Sequence, residues 1–288
     1  MDLVKEKETL SEASRETALA QPQLNAVVTL KDTLTPRLMI MRIVADGWPL
    51  PPFEPGQFTV LGLPGSAPRV ALAGPESRPP DPNKLIRRAY SIASSSLVNE
   101  YLEFYISLVT SGALTPRLFA LNIGDRLWLS SRVTGMFTLD QVPRDKSVVL
   151  VATGTGLAPY ISMLSSELQC GDPRRFAVLH GAYHSWDLGY RSELLTLQHL
   201  CPNLTYVATI DGADQEPVPW TGPTGLVQEL WIKGVVTESW GFQPTPENTH
   251  VFLCGNPFMI RDMEELLAQD GFREHSPKHP GQVHIERF

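Results

Sequence analysis

Arg88-Ala89-Tyr90-Ser91 sets a cation, an aromatic ring and a hydroxyl within four residues of a stretch that reads as a strand. Side chains two apart on a strand share a face, so Arg88, Tyr90 and Ile92 would line one side. A planar group could lie against Tyr90 while Arg88 holds its phosphate, with the Ser91 hydroxyl beside the ring. An ordinary strand with one surface arginine fits the same residues. A second motif separates the two readings.

Thr153-Gly154-Thr155-Gly156-Leu157-Ala158-Pro159 follows the apolar run Val148–Val151 and precedes a helical stretch from Tyr160 to Leu168. A buried strand, a glycine-rich turn and a helix start make a phosphate cradle. The turn lets backbone N–H groups approach, and the helix N-terminus favours negative charge. The spacing is not that of the usual dinucleotide fingerprint, nor of a Walker loop, which needs a terminal Lys. A third segment, Val251-Phe252-Leu253-Cys254-Gly255-Asn256-Pro257, repeats the plan of apolar strand and small-residue turn before a helix from Met259.

In this order the motifs resemble the ferredoxin–NADP reductase family, in particular its bacterial branch. The resemblance runs from about Asn25 to the C-terminus. It also includes Pro55-Gly56-Gln57-Phe58, Leu102-Glu103-Phe104-Tyr105 and Leu114-Thr115-Pro116-Arg117-Leu118. What it implies is a two-domain flavoenzyme. FAD would lie on an N-terminal antiparallel β-barrel (residues 24–144), and NADP(H) or NAD(H) on a C-terminal α/β doubly wound parallel sheet (145–288). Residues 1–23 form a polar extension outside the match.

Residue by residue, the resemblance implies that Arg88 holds the FAD pyrophosphate, Tyr90 stacks on the isoalloxazine and Ser91 bonds near its N5, with Ala89 between them in the same FAD site. Tyr105, Ala113, Leu114 and Thr115 would complete that site, with Thr115 and backbone amides on phosphate. Thr155 would reach both flavin and nicotinamide, and Phe288 would cover the flavin or its adenine. Thr153, Gly154, Gly156, Pro159 and Gly255 would carry the nicotinamide nucleotide. Cys254 would sit beside its ring and, with Tyr90 and Ser91, form the catalytic set. Glu286 would be a polar neighbour of the flavin. The implied partner is a separate ferredoxin or flavodoxin. The alternatives are an NAD(P)H–flavin reductase or oxygenase reductase component, and a flavin-binding subunit of a larger electron-transfer complex.

The chain departs from the family at the 2′-phosphate. NADP(H)-specific relatives grip it with arginines, whereas the matching positions here are Tyr183, Asp211 and Leu226. Asp211 after a strand would repel a phosphate and could accept from a ribose hydroxyl. Phosphate selectivity is therefore expected to be weak or shifted toward NADH, unless Arg174, Arg175, Arg191 or His184 supplies the missing charge.

The elements that must position these residues follow the same division. Between Asn25 and Leu63, short apolar runs separated by Pro and Gly suit an antiparallel barrel. Pro64 to Leu85 is proline-rich and reads as a surface loop. A helix begins near Thr115, a capping residue type, with Pro116 in a tolerated first position. Beyond Lys146, strands Val148–Val151, Ala177–His180, Thr205–Ile210 and Val251–Leu253 alternate with helices Arg191–Leu200, Gly225–Lys233 and Met259–Asp270, the pattern of a parallel sheet.

The 288 residues suffice for roughly two domains. A formal net charge of -7 disfavours nucleic acid as a partner. No apolar run is long enough for a membrane span, and the charged N-terminus is unlike a secretory signal, so a cytoplasmic protein is expected; a monomer is expected as well. The three cysteines contain no C-x-x-C pair and are too few for an iron–sulfur cluster or a Cys₄ zinc site. Arg69, Arg78, Lys84, Arg87, Arg117, Arg126 and Arg132 are candidates for a basic docking rim, set against an ordinary solvated surface.

Overall fold

The computed structural model describes residues 23–76 and 78–287. The proposed extension, apart from its last residue, and Phe288 lie outside the described residues. The first sheet comprises β1 (Ala26–Thr35), β2 (Leu38–Ala45), β3 (Phe58–Pro64), β4 (Leu85–Ser91), β5 (Leu102–Ser107) and β6 (Arg126–Thr134), in the order β4-β3-β6-β1-β2-β5. All neighbours are antiparallel. Beyond the end of β4, the Ala93 amide donates to the Glu103 carbonyl at 2.8 Å, which draws the two edges together.

The strand period of two decides how this barrel meets the rest of the chain. Met39, Met41 and Ile43 of β2, with Leu102, Phe104 and Ile106 of β5, fill the barrel core. The intervening Leu38, Ile40 and Tyr105 are buried in a second core, under the C-terminal sheet. The unbroken apolar run from Leu38 to Met41 thus marks a strand buried on both faces. Each such side chain contributes about 1.5–3 kcal/mol on removal from water.

The second sheet contains β7 (Ser147–Thr153), β8 (Phe176–Ala182), β9 (Leu204–Ile210), β10 (Thr249–Cys254) and β11 (Val283–Glu286), all parallel, in the order β11-β10-β7-β8-β9. One face packs against the barrel, α2 (Ala158–Glu167) and α3 (Arg191–Leu200). The other packs against α4 (Val227–Ile232), α5 (Val235–Trp240) and α6 (Pro257–Gln269). Burial on both faces is why β7 and β10 read as continuous apolar runs. Strand order reverses between β7 and β10, a switch point that opens a crevice at their C-terminal ends. The two small-residue turns fall there.

Several sequence expectations change in detail. The helix α1 (Thr115–Ala120) carries Pro116 in its first turn, but Thr115 is its first residue and makes no cap. Its hydroxyl is taken by Val109, accepting from the amide at 3.1 Å and facing the carbonyl at 3.2 Å. The predicted helix 225–233 is shorter, Val227–Ile232, because Gly225 holds φ +104° before it. Cys170 and Cys201 are joined as a disulfide, which their spacing did not indicate. The proline-rich loop is not loose: buried Arg117 of α1 pairs with its Glu76 at 2.7 Å and donates to the Gly65 carbonyl at 2.7 Å. That guanidinium holds the Glu76 carboxyl below its ordinary range.

Candidate active site

The turns after β7 and β10 are fitted to one another. Cys254 lies beside Ala152 in the β10–β7 ladder, so both chains turn at the same level. A Cβ on Gly156 would overlap the Cys254 carbonyl, and one on Gly255, at φ +133°, would overlap Thr153. Only glycine permits that approach. The Thr153 hydroxyl accepts from the Asn256 amide at 2.7 Å, tying one turn to the other. Gly154 and half-buried Thr155 continue the first turn, and buried Pro159 lies in the first turn of α2, which carries no side-chain cap.

A cavity of about 510 Å³ opens beside these turns. It brings together Thr153, Gly154, Tyr183, Asp211, Leu226 and Asn256, five of them expected in the nucleotide site. Tyr183 and Leu226 are half-exposed, and the Tyr183 hydroxyl accepts from the Gln215 amide at 2.8 Å. The cations considered as substitutes for the missing arginines lie elsewhere. Arg174 is buried over Phe176 and donates to the Lys146 carbonyl at 3.0 Å, at the opposite end of the strands, and Arg175 adjoins it. Arg191 covers the Trp220 ring, and His184 faces Glu216.

On the barrel side, β4 pairs with β3 so that Tyr90 lies opposite Thr59 and Arg88 opposite Leu61, which puts the two side chains on one face. Tyr90 packs edge-on against Phe104, and burial pushes its phenol pKa upward. Ala89 and Arg88 are exposed, and the Arg88 guanidinium donates only to the neighbouring Arg87 carbonyl among the described residues. The Ser91 hydroxyl donates to Glu286 Oε2 at 3.1 Å, and Cys254 Sγ lies 3.7 Å from the same oxygen. Burial raises the Glu286 carboxyl to about 6 despite these two donors. Burial and the Glu286 charge keep Cys254 a neutral thiol. A serine, a carboxyl and a thiol thus meet where the barrel touches the crevice.

Not every expected residue faces this point. Tyr105 points out of the barrel: its ring meets Tyr190 edge-on, and its hydroxyl accepts from the Gly189 amide at 3.1 Å. Leu114 is buried and Ala113 half-buried, and the Ala113 carbonyl accepts from Arg117. The amides of residues 113–115 have no acceptor among the described residues. Of the basic rim, Arg69, Lys84, Arg117 and Arg126 are paired with acids, leaving Arg78, Arg87 and Arg132 unpaired among the described residues.

Residues 150–265 match the family description "Oxidoreductase NAD-binding domain". The flavodoxin/ferredoxin–NADP reductase of Escherichia coli K12 is 32% identical over 216 residues, covering 75% of this chain and 79% of that one. The chain belongs to the ferredoxin–NADP reductase family. The ferredoxin–NADP reductase of Azotobacter vinelandii is 30% identical, over 82% of this chain and 86% of its own. The phenol 2-monooxygenase reductase component of a Pseudomonas strain is 31% identical over 91% of this chain, and 64% of its own. A Neisseria gonorrhoeae ferredoxin NADP+ reductase solved with FAD and NADP superposes with TM-score 0.74 at 24% identity, over 91% and 97% of the two chains. Family membership makes the chain an FAD-dependent oxidoreductase that uses NADP(H) or NAD(H).

The residues present fit FAD. A free guanidinium at Arg88 and open amides at 113–115 suit its phosphates, and Tyr90, Ser91 and Glu286 supply an aromatic face and two polar groups. Glu286 was legible only as a neighbour by analogy, since Ser91 and Glu286 are 195 residues apart and no local pattern links them.

Proposed function

We propose that this reductase passes electrons between a nicotinamide nucleotide and a separate ferredoxin or flavodoxin, working as a cytoplasmic monomer. The observation that carries the reading is the Ser91–Glu286–Cys254 cluster, set between a strand suited to a flavin and a crevice suited to a nucleotide. FAD held here would supply the redox chemistry, coupling hydride exchange with the nucleotide to single-electron exchange with the carrier. The chain's own part is to orient and exclude. Tyr90 offers the ring a face, and the Thr153 and Cys254 turns hold the nucleotide at the strand ends. Glu286, raised to about 6, can keep a proton at Oε2 beside the Ser91 hydroxyl or release it. Neutral Cys254 is buried at the end of β10 and does not act as a nucleophile.

Tyr183, Asp211 and Leu226 around the cavity favour NADH over NADPH, because among the described residues no lining cation of the nucleotide domain offsets the Asp211 charge. Among the described residues, no helix is long and apolar enough to cross a membrane. The function is tested by stopped-flow transfer from reduced flavin to purified ferredoxin and flavodoxin; an enzyme that reduces free flavin faster than either carrier would instead be a flavin reductase. A second reading, the reductase of an oxygenase, draws on the phenol 2-monooxygenase relative. Coupling to an oxygenase without an added carrier would support it.

A further inference from the structure

The β1–β2 hairpin turn puts Arg37 into the wall of the nucleotide cavity that belongs to the barrel, opposite the Thr153–Gly154 turn. The turn is fixed: Pro36 restricts its own φ, the Arg37 amide donates to Thr35 Oγ1 at 3.2 Å, and the Arg37 carbonyl accepts from the Leu108 amide at 2.8 Å. Arg37 is the one cation among the described residues that line the cavity, which also has three carboxylates, Asp187, Asp211 and Asp262. It pairs with none of them, and its side chain makes no hydrogen bond among the described residues. A dianionic diphosphate entering a cavity with three carboxylates needs an opposing charge, and the lining residues of the nucleotide domain supply neutral donors such as Thr153, Gln228 and Asn256 but no cation.

We propose that Arg37 is a binding anchor for the diphosphate of the nicotinamide nucleotide, reaching it from the other domain. The assignment rests on the nucleotide reading of this cavity given above. Because the diphosphate is common to NADH and NADPH, such an anchor serves both and lets the chain dispense with a grip on the 2′-phosphate. It also makes nucleotide binding bridge the barrel and the parallel sheet.

The test uses the FAD-containing full chain and its Arg37→Gln and Arg37→Lys variants. ADP-ribose, which has the diphosphate and no nicotinamide, and 2′-AMP, which has only the 2′-phosphate, are titrated by calorimetry alongside KM for both dinucleotides. Arg37→Gln is expected to weaken ADP-ribose at least about tenfold and to raise KM for NADH and NADPH by equal factors, with Arg37→Lys recovering part of the loss. FAD content and melting temperature, which follow the fold, should stay at wild-type values. Unchanged ADP-ribose binding in Arg37→Gln would overturn the assignment, and so would a loss confined to 2′-AMP and NADPH. Dye reduction by the wild type with either dinucleotide reports separately on the parent reading: its absence would sink both.

Discussion

Glu286 gains its character from two neighbours and from burial. Its folded value of about 6 lies above the ordinary 4.5, so its contribution to stability is present below 4.5 and is lost as pH rises through 6. Glu286→Gln should therefore be more stable than wild type above pH 6, by about 2 kcal/mol, in chemical denaturation. The same variant should lose an inflection near pH 6 in the rate of flavin reduction; an inflection that survives would assign it to another group. Arg88→Ala should weaken FAD retention about tenfold or more, measured by flavin release on dilution. Arg88, Tyr90 and Ser91 were legible because strand alternation is local. Tyr105 was not, since the same alternation turns its side chain out of the barrel, toward Tyr190. Arg37 was missed because a turn residue has no motif until the fold sets it against another domain.

Among the elements, two closely apposed turns and one braced loop hold the site in place. Gly156→Ala would drive a Cβ into the Cys254 carbonyl, and the backbone on both sides must move to receive it. A loss of about 2–4 kcal/mol in unfolding free energy is expected, with nucleotide affinity falling alongside; a variant of wild-type stability would mean that the turns are not tightly apposed. Glu76→Ala leaves buried Arg117 unpaired and should cost about 3–5 kcal/mol, read from urea denaturation. The parallel sheet and its helices were legible, because apolar strands alternated with helical stretches and ended in small-residue turns. The bracing of the Pro64–Leu85 loop was not, since proline content speaks for a surface path and is silent on which arginine reaches it. β11 is four residues long, and pairing with β10 rather than its own pattern makes it a strand.

The whole molecule holds three buried apolar clusters, one of them shared by the barrel and the parallel sheet, and buried histidines tie its stability to pH. Burial lowers His180 to about 3, His250 to about 4 and His284 to about 3, from an ordinary 6.5. Their stability contribution is present above 6.5 and is lost as pH falls, because the unfolded chain binds three protons that the native one refuses. Glu286 acts in the opposite sense between 4.5 and 6, releasing up to one proton on unfolding. Unfolding near pH 5 should therefore take up roughly two protons, measured as the pH dependence of the denaturation free energy; stability independent of pH between 5 and 7 would show these histidines to be solvated. Both domains serve one event, the reduction of a flavin on Tyr90 by a nucleotide in the crevice. It is tested most directly by anaerobic reduction of the purified yellow protein, following flavin absorbance with NADH and NADPH in parallel. Bleaching by both, faster with NADH, is the predicted result; bleaching by neither would contradict the account.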